Sequence, residues 1–347
     1  EVLNIVYPSQ ILDNQIKEGK IQNSESVSEN DDNQDPRGTM VGKRGMNSVM
    51  NYMDESNKKI PRKFNFSYKP EVEKIYGRIF SSSELAKYSA KIHNICEIIK
   101  KSTGIVLIYS QYIDGGLIPM ALALEELGFT RYGSSKNLFK DKPINENKLK
   151  YVMITGDISH SINNNEEINA CTNSDNINGD KVKVILISKA GSEGIDLKYI
   201  RQVHILEPWY NTSRIEQIIG RAVRNKSHCD LPFNKRNVML FLYGTMLDSD
   251  EESADLYVYR VAEKKSIQIG KISRIIKESC VDCIIHHNQI NFTEKNFNKK
   301  INIILSNKKA IDYNVGDKPF TNVCDYMSEC NYECKPNIKI EDNVNID

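Results

Sequence analysis

The sequence predicts an α/β fold: a parallel sheet with helices on both faces, followed by a mostly helical C-terminal extension. Three observations carry this. Short apolar runs recur at Ile105–Ser110, Tyr151–Thr155, Val182–Ser188, Val203–Leu206 and Val238–Tyr243. Continuous apolarity, without period-two alternation, marks strands buried on both sides, the habit of parallel sheets. Stretches of helical spacing lie between strands, as parallel crossovers require. After Asp248 the texture changes to one long helical pattern and then to a tail rich in Asn and Lys.

Taken in order, Val2–Tyr7 reads as a short strand ended by Pro8. Residues 21–40 are polar, acidic and of low complexity, too poor in apolar side chains to order themselves, and read as a loop. Residues 41–80 are mixed, and their basic cluster of Lys58, Lys59, Arg62 and Lys63 is either a solvated loop or a nucleic-acid contact. Ser81-x-x-Glu84 has the form of a capping box, and Leu85, Tyr88, Ile92, Ile95 and Ile99 then recur at helical spacing. Beyond the first buried strand, Asp114-Gly115-Gly116 is followed by a helix with Pro119 near its start and Gly128 just past its end. Residues 159–180, rich in Asn, read as a polar surface loop. Ser213-x-x-Glu216 caps the helix that leads to Arg224. Asp248 to Glu252 is acidic and suits a helix N-terminus, and the pattern continues through Ala254, Tyr257, Val261, Ile267 and Ile275 to about Ser279. These textures divide the chain into residues 1–80, 81–248 and 249–347.

The bulk numbers exclude several classes. The 347 residues allow about two domains. A net charge of +1 provides no global basic field, so any nucleic-acid contact must come from a local patch. No apolar run approaches the about 20 residues of a membrane span, and no signal peptide is visible. The eight cysteines are scattered over a long chain, so reduced thiols and a cytoplasmic setting are expected. Cys280-x-x-Cys283 with Cys324, Cys330 and Cys334, and His286-His287 nearby, could supply zinc ligands. The irregular spacing favours one buried cysteine plus free thiols, and no metal site is assigned. The chain opens at Glu1 without an initiator Met and reads as part of a longer protein.

The chemistry concentrates between Ile185 and Arg224. Gly194-Ile195-Asp196 follows an apolar run, and Gln217-Ile-Ile-Gly220-Arg221-Ala-Val-Arg224 closes the stretch. Two arginines three apart on a helix share a face. Their guanidinium groups grip phosphate oxygens in bidentate fashion and stay charged at any working pH. A carboxylate behind a glycine turn can hold a ribose hydroxyl or orient those arginines.

This order of strand, Gly-x-Asp turn, strand and Gln-x-x-Gly-Arg-x-x-Arg helix resembles the second, RecA-like motor domain of superfamily 2 helicases, over about residues 81–285. Tyr109-Ser110-Gln111 corresponds to motif IV, Ser188 to Asp196 to motif V and Gln217 to Arg224 to motif VI. Val106-Leu-Ile-Tyr-Ser-Gln-Tyr-Ile-Asp-Gly-Gly116 and His204-Ile-Leu-Glu-Pro-Trp209 are most similar to the helicases and nucleoside triphosphatases of large cytoplasmic DNA viruses, of the poxvirus nucleoside triphosphatase I and early transcription factor type. The resemblance implies that Arg221 and Arg224 reach the γ-phosphate of ATP bound on a first lobe, one of them as an arginine finger. It implies that Gln217, Gly194, Asp196 and Gly220 serve the nucleotide, and that Ser110, Gln111, Ser188 and Lys189 face the backbone of DNA or RNA. It places Mg²⁺ mainly on the first lobe and implies a viral RNA polymerase as a partner in transcription.

The sequence departs from a full helicase in having no G-x-x-x-x-G-K-[ST] phosphate loop and no acidic box in a strand context. Residues 1–80 then read as the end of the first lobe or a linker, and this chain alone is expected not to turn over ATP. The rival reading is a non-catalytic helicase-like module that binds nucleic acid or a polymerase; the intact motif arginines argue against it. Several residues keep two readings. Glu207 is a helix-start carboxylate or part of the cleft, and Trp209 stacks on a base or caps the sheet edge. Lys264, Lys265, Lys271, Arg274 and Lys277 form a basic stripe or the wet face of a packed helix.

Overall fold

The computed structural model describes residues 4–9, 13–14, 40–52, 65–133, 137–141, 147–156, 164–189, 191, 194–247, 251–287, 292–316 and 318–335. The acidic low-complexity stretch up to residue 39, the cluster Lys58, Lys59, Arg62 and Lys63, and Asp248 lie outside the described residues. The chain forms two compact units. One holds residues up to Pro208 and Arg214–Leu256; the other holds Trp209–Ser213 and the residues from Tyr257 on.

The first unit opens with residues 4–9, which form no strand. Their backbone bonds go to single loop carbonyls, Val6 N–H to Tyr88 O and Tyr7 N–H to Met40 O, where a ladder would need a neighbouring strand. Then come α1 (Gly42–Val49), β1 (Met50–Tyr52), β2 (Phe66–Tyr68), antiparallel to β1, and α2 (Pro70–Tyr76), with Pro70 in the first turn. Tyr7, Met46, Val49, Phe66, Val72 and Phe80 join the core beneath the sheet. The described residues before Ser81 thus belong to the unit that holds the sheet; the boundary drawn at residue 80 from texture falls inside a shared core. Their apolar side chains are spaced too irregularly to show as a face.

α3 (Ala90–Lys101) starts later than the Ser81 box suggests. Its cap is Ser89, whose Oγ accepts the Ile92 N–H at 3.1 Å and donates to Asn4 O. β3 (Ile105–Tyr109) leads through a wide turn at Ile113–Leu117 into α4 (Ile118–Glu126), closed by Gly128 at φ +91°. A short β4 (Thr130–Arg131) and β5 (Lys150–Ile154) follow. α5 (Asn164–Thr172) stands where the Asn-rich sequence reads as a loop. Cys171 on α5 is buried in the core, and Glu167 lies 3.8 Å from the Arg131 guanidinium. This tertiary burial overrides poor helix propensity. β6 (Val184–Ile187), β7 (Ile200–Ile205), α6 (Thr212–Ala222), β8 (Met239–Leu242) and α7 (Ala254–Ser279) complete the order.

The six sheet strands run in the order β4-β5-β6-β3-β7-β8, and every pair is parallel. Tyr109 pairs with both Ile187 and Ile205, so the strands end together at one edge. Side chains alternate between two cores. Val106 and Ile108 face α3 and α4, whereas Ile105, Leu107 and Tyr109 face α5 and α6. This is the RecA-like arrangement expected. At the shared edge the chain leaving β3 turns to one face and the chains leaving β6 and β7 reach the other, which opens the crevice where α/β sheets place ligands.

The second unit is α7 from Tyr257 on, α8 (Val281–Ile285), α9 (Glu294–Phe297) and an antiparallel hairpin of β9 (Lys300–Ile304) and β10 (Ala310–Asn314). The expectation of free thiols fails here: Cys283 bonds Cys334, and Cys324 bonds Cys330. A separation of 51 residues conceals the first pair in the sequence. Cys96, Cys171, Cys229 and Cys280 stay free. Among the described residues no group of three or more His, Cys, Asp or Glu is placed to hold a metal, and no helix is long and apolar enough to cross a membrane.

Arg274 is not part of a wet basic face. It is buried, paired with Asp325 at 2.8 Å, and donates to the carbonyls of Asn331, Cys324 and Glu329 at 2.9, 3.1 and 3.2 Å. Arg274→Ala is therefore expected to destabilise this unit by about 3–5 kcal/mol, the scale for breaking a buried pair. Urea unfolding without reductant checks this; a change under about 1 kcal/mol would contradict it.

Candidate functional site

The structure gathers the candidate residues into groups joined by α6. In the first, Gly194 sits at φ +72°, a left-handed turn that suits glycine, with open space on its Cβ side. It is followed by Ile195, buried in the core, and by Asp196, which points to solvent. Arg221 Nη1 donates to Ile195 O at 3.4 Å, and Arg224 forms an ion pair with Asp196. Of the two uses open to Asp196, bracing an arginine is the one seen. α6 ends at Ala222, so Arg224 lies just past it and does not share a helix face with Arg221. Its loop is pinned instead by Ser227, whose Oγ accepts the Arg224 N–H at 3.2 Å. Buried Ile218 and Ala222 hold α6 on the sheet, leaving Gln217 and Gly220 exposed. Apart from the neighbouring backbone of α6, nothing comes within 4 Å of where a Cβ on Gly220 would stand.

The second group sits at the end of β3. Ser110 is fully buried, and its hydroxyl lies 2.9 Å from Glu207 Oε1 while accepting the Tyr112 N–H at 3.1 Å. The Gln111 N–H donates to the same carboxylate at 2.6 Å, and Asn4 Nδ2 donates at 2.9 Å. Gly116 is required here by close approach: a Cβ on it would meet Ser110 Oγ at 2.1 Å. Burial pushes the Glu207 carboxyl up to about 7, although the Asn4, Gln111 and Ser110 bonds and the Lys91 charge pull it down. Lys91 Nζ is itself buried 2.5 Å from Asp255 and donates to Asn4 Oδ1 at 3.2 Å. The Gln111 side chain, half-buried, takes a bond from Arg214 Nη1 at 3.3 Å.

At the adjacent end of β6, Ser188 is buried and its Oγ accepts the Gly191 N–H at 3.1 Å, whereas Lys189 is exposed. The hydroxyls of Ser110 and Ser188 thus shape the strand ends from inside, and what these ends offer to a ligand is Gln111, Lys189 and loop backbone. Glu207 enters the sequence candidates only as one of two readings, and Arg214 does not enter them. The first has a weak signal in its place after an apolar strand; the second has one, because Arg214, Gln217 and Arg221 recur at i, i+3 and i+7, one stripe of a helix. Two turns of α6, about 10 Å, separate Arg214 from Arg221. Trp209 contacts Tyr210 edge-on at 5.5 Å. His204, which lies in the phrase ending at Trp209, is a core residue: it stacks on Phe241 at 4.5 Å, and burial lowers it to about 4.

Known proteins share this stretch. Residues 90–226 match the helicase conserved C-terminal domain family. The chain is 30% identical over 270 residues to protein 087L of Invertebrate iridescent virus 3, named a helicase, covering 75% of this chain and 25% of that protein. It is 31% identical over 202 residues to protein L538 of Acanthamoeba polyphaga mimivirus, named an ATP-dependent RNA helicase, covering 58% and 39%. It is 36% identical over 182 residues to a termination factor NPH-I homolog of African swine fever virus, covering 45% and 26%. The chain thus spans between a quarter and two fifths of these relatives.

Proposed function

We propose that the helicase C-terminal domain of this chain, residues 81–248 together with the earlier segments packed on it, is the second motor lobe of a nucleic-acid-dependent ATPase of superfamily 2. Arg221 and Arg224 neutralise charge on the γ-phosphate of ATP held by a first lobe, and Gln217, Gly194, Asp196 and Gly220 line the same side. Gln111 and Lys189 meet the backbone of DNA or RNA, positioned by Ser110 and Ser188. The carrying observation is α6 itself: one end brings Arg221 beside the Gly194–Asp196 turn, and the other brings Arg214 to Gln111. A rigid helix between a phosphate sensor and a strand contact can pass nucleotide state to grip.

These residues suit polyphosphate oxygens. They do not form a Mg²⁺ site: Asp196 is paired with Arg224, and Glu207 is buried under three donors. The reading therefore leaves Mg²⁺ to the first lobe and routes no step of this chain's chemistry through it. One viral relative is named a termination factor, which supports a role in transcription; the reading adds a viral RNA polymerase as partner and the host cytoplasm or virion as the setting. The test is DNA- and RNA-stimulated ATP hydrolysis by the full-length polypeptide carrying this chain, with Arg221→Ala and Arg224→Ala. Hydrolysis that is absent, or indifferent to both changes, would leave a non-catalytic binding lobe as the better account.

A further inference from the structure

The β9–β10 hairpin of the second unit has no part in the reading above. Between Glu294 and Lys318 the sequence holds six lysines, Lys295, Lys299, Lys300, Lys308, Lys309 and Lys318, against Glu294, Asp312 and Asp317. All six lysines are exposed. In a chain of net charge +1 this is a local basic patch, the kind a polyanion needs. Along one side of the hairpin runs a groove of about 670 Å³, lined by Phe297, Lys300, Asp312, Tyr313 and Lys318 among others. That volume lies in the range of about 300–1,000 Å³ that accepts small ligands.

The groove is built firmly. A two-stranded ribbon exposed on both faces is marginal alone; here Phe297, which lines the groove just before the ribbon, belongs to an aromatic cluster. Phe297 meets Phe292 edge-on at 5.6 Å, and Phe292 lies 6.1 Å from Tyr332, over which Arg274 sits at 5.1 Å. Gly316 closes over Phe297 so tightly that a Cβ there would come within 2.5 Å of the ring. Tyr313 stands 49% exposed on β10, opposite Ile301. Exposed aromatic surface flanked by exposed lysines is the combination that stacks unpaired bases while neutralising their phosphates.

We infer that this hairpin is a second nucleic-acid site, taking a single strand with a base on Tyr313 and backbone phosphates on Lys300 and Lys318. The inference does not rest on the motor reading, since the site needs neither ATP nor the motif residues. The test is fluorescence anisotropy of labelled dT20 and rU20, and of a 20-base-pair duplex, against the chain, the double variant Lys300→Glu/Lys318→Glu, Tyr313→Ala and Tyr313→Phe. The expected results are a tenfold or greater loss for the double variant, with the log–log salt slope falling by about 1.4, since each phosphate contact on a single strand contributes about 0.7. Tyr313→Ala should lose at least fivefold on single strands and little on duplex, and Tyr313→Phe should bind normally. A preference between dT20 and rU20 would identify the natural strand. Losses should persist in a Gln111→Ala/Lys189→Ala background. Unchanged binding in the hairpin variants overturns the inference even if those lobe substitutions abolish binding, a result that would leave the motor reading intact. Equal loss on duplex for Tyr313→Ala, or equal competition by polyglutamate, also overturns it. Circular dichroism melting of each variant separates lost contacts from lost folding.

Discussion

Replacing Arg221 or Arg224 with Ala is expected to lower nucleic-acid-stimulated ATP hydrolysis of the full-length polypeptide by about 10³-fold or more, the scale of an arginine finger. Both side chains have partners within the protein, and the magnitudes decide whether they can leave them. Arg224 and Asp196 are 47% and 69% exposed, and an exposed pair of this kind is worth about 0–1 kcal/mol. Arg221 makes a single long bond to a carbonyl. A thousandfold in rate is about 4 kcal/mol, so transition-state charge outcompetes both resting contacts. Asp196 then acts as a light brace, and Asp196→Asn is expected to cost tenfold or less.

The same argument separates chemistry from stability. Arg224 is exposed and Arg221 half-buried, so melting temperatures of the alanine variants should stay within about 2 °C of the parent, in keeping with surface substitutions. Lysine should rescue poorly, because an ammonium cannot present the planar fork that grips two phosphate oxygens. A kcat within threefold of the parent for both alanine variants would remove these arginines from the reaction.

Much of this arrangement is legible in the sequence because one physical cause writes it there. Strands buried on both faces must be apolar throughout, so Ile105–Tyr109 and Val184–Ile187 announce themselves. α7 is long enough for its pattern to repeat. Elements that depend on distant partners are silent. α5 offers few apolar residues, and its burial rests on the core and on Arg131. Ser89 is a cap because Asn4 and Ile92 are beside it, not because of a motif. The motif serines look like phosphate ligands by type, yet Ser110 is turned inward by Glu207, 97 residues away. The disulfide partners and the buried Arg274–Asp325 pair are long-range in the same way. The residues proposed for the nucleotide side are readable as a group because two short segments, 194–196 and 217–224, carry them; the proposed strand-contact side is only half readable because a buried carboxylate organises it.

That carboxylate supports the other large expectation. Glu207→Ala should destabilise the first unit by about 3–5 kcal/mol, since it leaves the Asn4 amide, the Ser110 hydroxyl and the Gln111 N–H buried without their acceptor. The pH dependence sharpens the test. Glu207 rises from 4.5 to about 7 on burial, so between those values the folded state holds a proton that the unfolded state has lost. Its contribution is complete below pH 4.5 and lost as pH rises through 7, roughly 3 kcal/mol at about 1.4 kcal/mol per pH unit. Glu125, buried under the Leu138 and Phe139 N–H groups and the Tyr151 hydroxyl, rises to about 7 as well and adds the same sign. His204 opposes them: lowered from 6.5 to about 4, it contributes stability present above pH 6.5 and lost as pH falls through 4. Two falling terms against one rising term predict a net loss of stability from pH 4.5 to 7, with both carboxylates alone acting above 6.5. Glu207→Gln, which imitates the protonated acid, should flatten this profile by about one group's share while keeping the fold. Melting curves of wild type, Glu207→Gln and Glu125→Gln at pH 5, 6, 7 and 8 decide it. A wild-type melting temperature that climbs steadily from pH 5 to 8, or a Glu207→Gln profile parallel to wild type, would show that Glu207 stays ionised in the fold and holds Gln111 in place as a charged acceptor.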